Sequence, residues 1–525
     1  MKPETSPIQL ASFDGRVPSE LAADYILPDI FPDIKRILRV TAKPVLIGRY
    51  LAGRRLEFSG AVDYVVHFSA EQESGESLHC VHFAGDFNGA LTESEDLDGA
   101  EILLASRMGD CTARLANPRK ISLKSTVFTD VRIARPISLE PAAECAAEDA
   151  ARLERLSESV PSVRERAVIA EPLRISENLE PDASQPAMDE IVSCEAALFF
   201  HEARMNQGGA PTVTLKGQAL IDCIYRAMGG GYRSFQRKLP LSYSLPADEF
   251  EEFFAGCAPE SLICAADAII TELNAEIAEN TYGERRILEL DVTFEPHLRL
   301  AGIVAVPLTL DAYSTAKKCD LSMRELDFST SAKQLSANFS VGESLARADL
   351  SLPDECSLID AAGDVEFGQI SMERGRAVIT GEASLSCIFA APDGTLISAE
   401  PAFAVRCELA AGDLREPLTM RAEGVISDLR VRMDGERIFF DFEVSFAAGI
   451  RECTRRRVVS SVTLGDALPR RAPSACMTVC YPAPGESLWS IARRYNVAMA
   501  AIEAANPEAS RVVMIPRTPG VSGVI

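Results

Sequence analysis

Long apolar runs are missing from this sequence, since none reaches the roughly 18 residues that a membrane-spanning helix needs. Residues 1–7 also lack the apolar core of a secretory signal peptide. Positive charge is in the minority, with 53 Lys and Arg against 77 Asp and Glu and a formal net charge of −24. We therefore expect a cytoplasmic protein with no membrane span, for which nucleic acids and anionic membranes are poor partners.

Closely spaced metal ligands are also rare. None of the fourteen cysteines has the C-x-x-C spacing, and there are only five histidines. His79, Cys80 and His82 lie close enough for a metal site to be conceivable, but no second ligand pair is near, which favours a structural or surface role. Cys223 and Cys387 fall on apolar faces of predicted strands, as reduced cysteines do in cytosolic proteins. We predict no metal site.

A catalytic constellation is the third absence. No cysteine and histidine have the spacing of a wall-hydrolase dyad, and no carboxylate pair stands out. The glycines between Met228 and Tyr232 could suggest a phosphate loop, but the Lys-Ser/Thr that should follow is missing, which favours a hairpin loop. We predict no catalytic residue and no cofactor, and a wall hydrolase is disfavoured.

The sequence does contain one strand pattern three times. From Ile379 to Phe389, apolar or small residues alternate with polar ones, which is typical of a half-buried strand. Aligned on a glycine, the pattern recurs around Gly60 and Gly217. Glycine inside a strand suggests a bulge or a close backbone approach, so three copies of one β-rich unit are predicted. The aligned residues are Phe58, Gly60, Val62, Tyr64, Val66 and Phe68; Leu215, Gly217, Ala219, Ile221, Cys223 and Tyr225; and Ile379, Gly381, Ala383, Leu385, Cys387 and Phe389.

Each copy has the same neighbours along the chain. Upstream is a Leu-Pro-Asp element, in which proline fixes a turn where the chain enters the sheet. Downstream is a hairpin, which Asp434-Gly435 signals most clearly. The upstream elements begin at Leu27, Leu179 (with one inserted residue) and Leu352, and the other two hairpin turns are predicted at Asn117-Pro118 and Tyr282-Gly283.

The length of 525 residues is too great for one core. We predict a mainly β protein, with three repeated β-rich, sandwich-like domains followed by a small α+β module. The Ala- and Glu-rich stretch from Glu140 to Glu154 predicts a solvated helical linker. The predicted segments are 1–136, first β domain; 137–165, linker; 166–316, second β domain; 317–465, third β domain; 466–475, linker; 476–517, α+β module; and 518–525, tail.

The last module has a different periodicity. Thr478–Tyr481 predicts a strand, and Ser487 is placed to cap a helix. Leu488, Ile491, Ala492 and Tyr495 then follow the spacing of one helix face. A second short helix is predicted to end at Asn506-Pro507, before a closing strand, which gives a βααβ unit.

The string from Pro484 to Tyr495 (Pro-Gly-Glu-Ser-Leu-Trp-Ser-Ile-Ala-Arg-Arg-Tyr) strongly resembles a LysM module, as do Ile502, Asn506-Pro507 and Ile515-Pro516. LysM modules bind N-acetylglucosamine-containing glycans between the loop before their first helix and the loop after their second. The second loop is shortened here, with Ser510-Arg511-Val512 in place of the usual Pro-Gly-Gln. The binding residues that this resemblance implies, for a glycan or for a docked protein, are Gly485, Glu486, Ser487, Leu488, Trp489, Arg493, Asn506, Pro507 and Arg511.

The segment from Leu27 to Leu38, followed by the β repeats, looks like the SPOCS domains of spore-forming Firmicutes. SPOCS repeats with one C-terminal LysM module resemble spore-envelope assembly proteins. That resemblance implies a non-enzymatic scaffold for coat assembly in the mother-cell cytosol, at the forespore surface during sporulation. Its LysM module would contact the ATPase of the coat's basement layer. The alternative is a protein that attaches to peptidoglycan or cortex glycans through the LysM module.

The single tryptophan and a group of arginines each allow two interpretations. Trp489, the only tryptophan, could be a core residue or a partly exposed binding anchor, and a core position is slightly favoured. The arginines at 455–457 and 470–471 form a basic patch in an acidic chain. A solvated strand end and linker is the favoured interpretation, and an electrostatic contact with an acidic partner is the alternative.

Overall fold

The computed structural model shows a chain built mainly of antiparallel β-strands. Its hydrophobic residues are buried in several clusters, of which three large ones each belong to one group of strands. The structure describes residues 8–73, 75–137, 142–143, 147–206, 211–246, 257, 261–410, 412, 414–468, 477–507 and 512–516.

The first unit (residues 8–137) consists of two three-stranded sheets. Its strands are β1 (Ile8–Ile26), β2 (Arg36–Ala52), β3 (Arg55–Gln72), β4 (Gly75–Thr92), β5 (Glu101–Asn117) and β6 (Lys120–Ile137). The sheets have the orders β1-β6-β5 and β2-β3-β4. They enclose one core, in which Tyr64, Phe68 and Ile121 are fully buried, because alternate residues of each strand face inward.

The second unit (residues 153–314) repeats this plan in one continuous sheet. Its strands are β8 (Leu153–Ile169), β9 (Leu173–Leu179), β10 (Met188–Asn206), β11 (Thr212–Ala227), β12 (Tyr232–Pro246), β13 (Ile263–Glu279) and β14 (Arg285–Ser314). The order is β12-β11-β10-β13-β14-β8, and β9 also pairs with β14. A single Cα pair, Ala203 with Cys264, joins its two halves.

The third unit (residues 317–467) again has two sheets around one core. Its strands are β15 (Lys317–Ala346), β16 (Ser357–Glu373), β17 (Arg376–Ala390), β18 (Leu396–Ala399), β19 (Ala402–Ala410), β20 (Leu418–Asp434) and β21 (Arg437–Ala467). One sheet has the order β15-β21-β20, and in the other β17 pairs with β16, β18 and β19. The predicted hairpin turns at Asn117-Pro118, Tyr282-Gly283 and Asp434-Gly435 are all present.

The repeated glycine has the same surroundings in all three units. It opposes the last residue before a register shift in the preceding strand. A Cβ added to it would lie 2.3, 2.2 or 2.3 Å from a backbone carbonyl oxygen, in unit order, which is too close for any side chain. The predicted close backbone approach at a bulge is therefore confirmed. In each unit the glycine, the residue opposite it and the residue that carries the close carbonyl are, in that order, Gly60, Leu46 and Val45; Gly217, Phe200 and Phe199; and Gly381, Phe367 and Glu366.

Each unit contacts the other two. The amide of Leu78 donates to the hydroxyl of Tyr232 at 2.9 Å, which joins the first unit to the second. The hydroxyl of Ser234 donates to the carbonyl of Ile359 at 2.9 Å, which joins the second to the third. One apolar cluster includes buried residues from all three units, so they share a centre. Its buried members are Leu38, Leu78, Ile224, Ile359, Ile388 and Leu396.

The predicted helical linker is largely a strand. The chain forms a two-residue strand, β7 (Ala142–Ala143), and a single helical turn, α1 (Ala147–Ala150). From Leu153 it continues as β8 and pairs with β14. Among the described residues, the helical prediction for Glu140 to Glu154 is met only by α1. It was wrong at β7 and from Leu153, because the backbone there pairs with β21 and β14. The predicted boundary at residue 166 accordingly falls inside β8.

The C-terminal module has the predicted βααβ order. It consists of β22 (Met477–Cys480), α2 (Leu488–Tyr495), α3 (Met499–Ala505) and β23 (Val513–Pro516). β22 and β23 pair antiparallel, with Met477 opposite Pro516. Across the described parts of the chain, no helix is both long and apolar enough to cross a membrane.

Candidate functional site

The first helix of the C-terminal module is capped at both ends. The backbone amide of Ser490 donates to the hydroxyl of Ser487 at 3.2 Å, so Ser487 is the N-cap that the sequence predicts. Asn496 ends the helix in the left-handed conformation, with φ of 52°. These caps fix the orientation of α2 relative to the loop before it.

The buried face of α2 differs from the predicted one. Ile491 and Ala492 are fully buried, as expected, but Leu488 and Tyr495 are 36% and 37% exposed. Trp489 is the third buried residue of this helix, at 9% exposure. The prediction for Leu488 and Tyr495 was wrong. Trp489 is buried instead, because a second surface, outside the module, covers it.

That second surface is the end of β14 in the second unit. The ring of Tyr313 packs edge-on against the indole of Trp489, with centroids 5.0 Å apart. The Tyr313 hydroxyl donates to the carbonyl of Val497 at 2.6 Å. Burial is the main cause that raises the pKa of Tyr313 to about 12, so this hydroxyl keeps its proton at neutral pH.

Asp311 holds two side chains of the module at once. Its carboxylate accepts the indole N–H of Trp489 at 2.8 Å. Both of its oxygens also accept from Nη1 of Arg493, at 2.8 and 2.7 Å. A register shift in β14 immediately precedes Asp311. We call Asp311, Tyr313, Trp489 and Arg493 the latch; sequence reasoning missed its β14 half, because nothing in the alternation of that strand marks these two residues.

The first binding loop is largely exposed to solvent. Gly485 has a φ of 81°, a left-handed conformation that favours glycine. Glu486 is used inside the module, since its carboxylate accepts the amide of Ala483 at 3.0 Å and pairs with Arg494 at 2.8 Å. Gly485 and Ser487 remain exposed.

In the second predicted binding loop, Asn506 has an internal role. Its amide nitrogen donates to the carbonyls of Ile502 and Met514, each at 2.7 Å, and its oxygen accepts the amide of Met514 at 2.7 Å. Asn506 therefore fastens the end of α3 to β23, while Pro507 beside it is exposed. Arg511 lies outside the described residues.

The weaker candidate sites from the sequence stay separate from this module. His79 hydrogen-bonds Ser77 at 2.8 Å and stacks on Phe68, while Cys80 lies 3.8 Å from His82. Among the residues that the structure describes, no group of three or more His, Cys, Asp or Glu could hold a metal ion. The glycines after Met228 form the tight turn between β11 and β12, as the hairpin interpretation predicts.

The predicted basic patch is divided. Arg455 pairs with Asp327 at 2.7 Å, and Arg456 and Arg457 are exposed beside it on β21. The arginines at 470–471 lie outside the described residues. The described part therefore fits a solvated strand end, and the prediction of an acidic partner stays untested.

Comparison with known proteins identifies part of the chain. The LysM domain family matches residues 483–511, which include α2, α3 and both predicted binding loops. No curated protein and no solved structure matches the chain. A LysM domain, which is a binding module and not a catalytic one, is therefore present near the C-terminus.

Proposed function

We infer from the LysM domain at residues 483–511 that this chain is a non-enzymatic binding protein that holds N-acetylglucosamine-containing glycans. The observation that carries the proposal is which side of the LysM module contacts the second unit. Its latch side is occupied by Asp311 and Tyr313, whereas Gly485 and Ser487 of the first loop stay exposed. A glycan can therefore reach the loop while the module stays attached to the second unit.

The affinity of this site depends on how many hydrogen bonds it can offer. Glu486 and Asn506 already have intramolecular partners, which leaves fewer groups for sugar hydroxyls. Each missing hydrogen bond weakens binding by about 0.5–1.5 kcal/mol. We therefore expect chito-oligosaccharides to bind weakly.

Two exposed positions of the module allow a matched test. Ala483 lies in the first loop and Val479 lies on the outer face of the β22–β23 sheet, where it is 54% exposed. We expect Ala483→Glu to reduce sedimentation with purified peptidoglycan and the heat of chitotetraose binding, and Val479→Glu to leave both unchanged. If wild-type protein does not sediment with peptidoglycan, the glycan proposal is wrong.

A second candidate function is the spore-envelope scaffold that the SPOCS resemblance implies. Here the three units are three SPOCS-like domains, and the LysM module docks onto the basement-layer ATPase at the forespore surface, in the mother-cell cytosol. The apolar outer sheet face supports this candidate, because large exposed apolar patches often mark protein contacts. Its residues are Met477, Val479, Tyr481 and Met514, which are 47%, 54%, 78% and 44% exposed.

The same two variants separate this candidate from the first. Docking through the sheet face predicts that Val479→Glu abolishes capture of the purified ATPase, whereas Ala483→Glu retains it. A chain that ends near Pro473 should lose capture entirely. Capture that survives removal of the module would contradict LysM docking.

A further inference from the structure

Two cysteines of the second unit lie directly opposite each other. Cys194 in β10 and Cys223 in β11 are cross-strand partners in the antiparallel register. Both cysteines are free thiols. Directly opposed residues have Cα atoms about 4.5–5.5 Å apart, within the roughly 4.4–6.8 Å that a disulfide spans. We propose that Cys194 and Cys223 are a reversible oxidation site, which closes to a cross-strand disulfide and alters the contact between the first and second units.

The exposure of the two thiols assigns their order of reaction. Cys194 is partly exposed, whereas Cys223 is fully buried. Cys194 is therefore the thiol that a small disulfide such as oxidised glutathione can reach. Its thiolate attacks one glutathione sulfur, the glutathione S–S bond breaks, and one glutathione thiolate leaves. The product is a mixed disulfide on Cys194.

Cys223 completes the exchange. The neighbouring Cys194 thiol and burial raise the pKa of Cys223, so it stays protonated while Cys194 is a thiol. The mixed disulfide removes that thiol partner. The Cys223 thiolate then attacks the sulfur of Cys194 and displaces the second glutathione. The two protons lost by the cysteines are taken up by the two glutathione thiolates, and the electrons balance because one disulfide has replaced another.

The residues on either side of Cys194 connect this site to the first unit. Ser193 shares a 2.8 Å hydrogen bond with Nε2 of His67, and Glu195 pairs with Lys43 at 3.3 Å. A disulfide requires Cβ atoms about 3.5–4.5 Å apart, closer than the 4.5–5.5 Å of an ordinary opposed pair. Closure therefore draws β10 towards β11, and the register shift before Ser193 gives the strand room to move. Ser193 and Glu195 move with it, which changes their contacts with His67 and Lys43 of the first unit.

The other two units lack this pair at the same positions. Cys387 is the third unit's counterpart of Cys223, but it lies opposite Ala361. In the first unit the corresponding opposed residues are Val40 and Val66. Cys387 is therefore an internal control, because it has a similar buried setting without an opposed thiol.

The test uses the full chain in its native state. It is equilibrated with oxidised and reduced glutathione, alkylated, digested and mapped by mass spectrometry. We expect a peptide crosslinked between Cys194 and Cys223, and we expect excess reduced glutathione to remove the crosslink. The crosslinked peptide should be absent from the Cys194→Ser variant and present in the Cys387→Ser variant.

Hydrogen exchange of the oxidised chain tests the consequence for the contact. Faster exchange is expected in β2 around Lys43 and in β10 around Glu195, relative to the reduced chain and to oxidised Cys194→Ser. The proposal is overturned if Cys194 carries only glutathione, if oxidation links other cysteines first, or if no crosslink forms. Unchanged exchange in the crosslinked chain would overturn the link to the first unit.

Discussion

Nη1 of Arg39 in the first unit lies 2.6 Å from Oδ2 of Asp360 in the third, and both side chains are almost completely buried. The two residues occupy the same position of the repeat. Each directly follows a register shift, and each lies seven residues before the residue that opposes the repeated glycine (39 to 46 and 360 to 367). Ser193 is their counterpart in the second unit, where it bonds to His67. Divergence at one repeated position thus gives the three units complementary groups at their common centre.

The first prediction concerns this pair. Asp360→Leu should leave the Arg39 guanidinium buried without its carboxylate and lower the free energy of unfolding by about 3–5 kcal/mol. Adding Arg39→Met should recover most of that loss, because both charges are then gone. Urea unfolding of the single and double variants measures the effect.

An exposed pair provides the matched control. Arg432 and Asp441 are also 2.6 Å apart, but their side chains are 68% and 46% exposed. Asp441→Leu should therefore change the unfolding free energy by less than about 1 kcal/mol. Equal losses at Asp360 and Asp441 would show that burial does not determine the contribution of the central pair.

The second prediction is a pH dependence from His67. Burial, followed by the nearby charge of Arg39, lowers its pKa from 6.5 to about 4, so the folded chain holds it neutral. Between pH 6.5 and 4 the unfolded chain binds a proton there and the folded chain does not, so stability falls as pH falls. The shift corresponds to roughly 3 kcal/mol.

Because other buried groups titrate in the same range, the comparison must be between wild type and His67→Gln. Asp222, for example, has a raised pKa through burial and the nearby Asp360, and it acts with the opposite sign. We expect the difference between the two chains to develop between pH 6.5 and 4 and to be constant above pH 7. Parallel stability curves would contradict a neutral buried His67.

The sequence was sufficient for the repeated strands and the C-terminal βααβ module, because alternation, hairpin turns and caps are local signals. Ser487 illustrates this, since it caps the helix that follows it. Gly381 is marked by its place in the alternation of its own strand, although the carbonyl that it approaches belongs to Glu366 on the opposing strand. The latch could not be predicted, because Asp311 and Trp489 are far apart in the chain and meet only when the units pack. The helical error at Ala142–Ala143 and from Leu153 has the same origin, since pairing with the distant strands β21 and β14 outweighed local propensity.

The third prediction tests the repeated glycine. Gly381→Ala would place a Cβ 2.3 Å from the carbonyl oxygen of Glu366, so the strands must separate, and we expect a loss of about 1–3 kcal/mol. Gly449 in β21 has nothing within 4 Å of its Cβ position, and Gly449→Ala should be neutral or slightly stabilising. Thermal unfolding of both variants checks this, and equal melting temperatures would contradict the structural role of the repeat glycine.

The last prediction concerns the latch, which the single tryptophan reports directly. Asp311→Ala removes the acceptor of both Trp489 and Arg493. The hydrogen bond from Trp489 to this carboxylate contributes about 1.5–3 kcal/mol, whereas the half-exposed Arg493 pair adds little, so the attached state should become roughly 10- to 100-fold less favoured. We expect the emission of Trp489 to shift to longer wavelength and acrylamide to quench it more strongly, because its indole would be exposed to water. Asp320→Ala on the adjacent strand is the control, since Asp320 is exposed and its change should leave the spectrum unaltered. An unaltered spectrum in Asp311→Ala, with Tyr313→Leu producing the full shift, would show that ring packing alone holds the module in place.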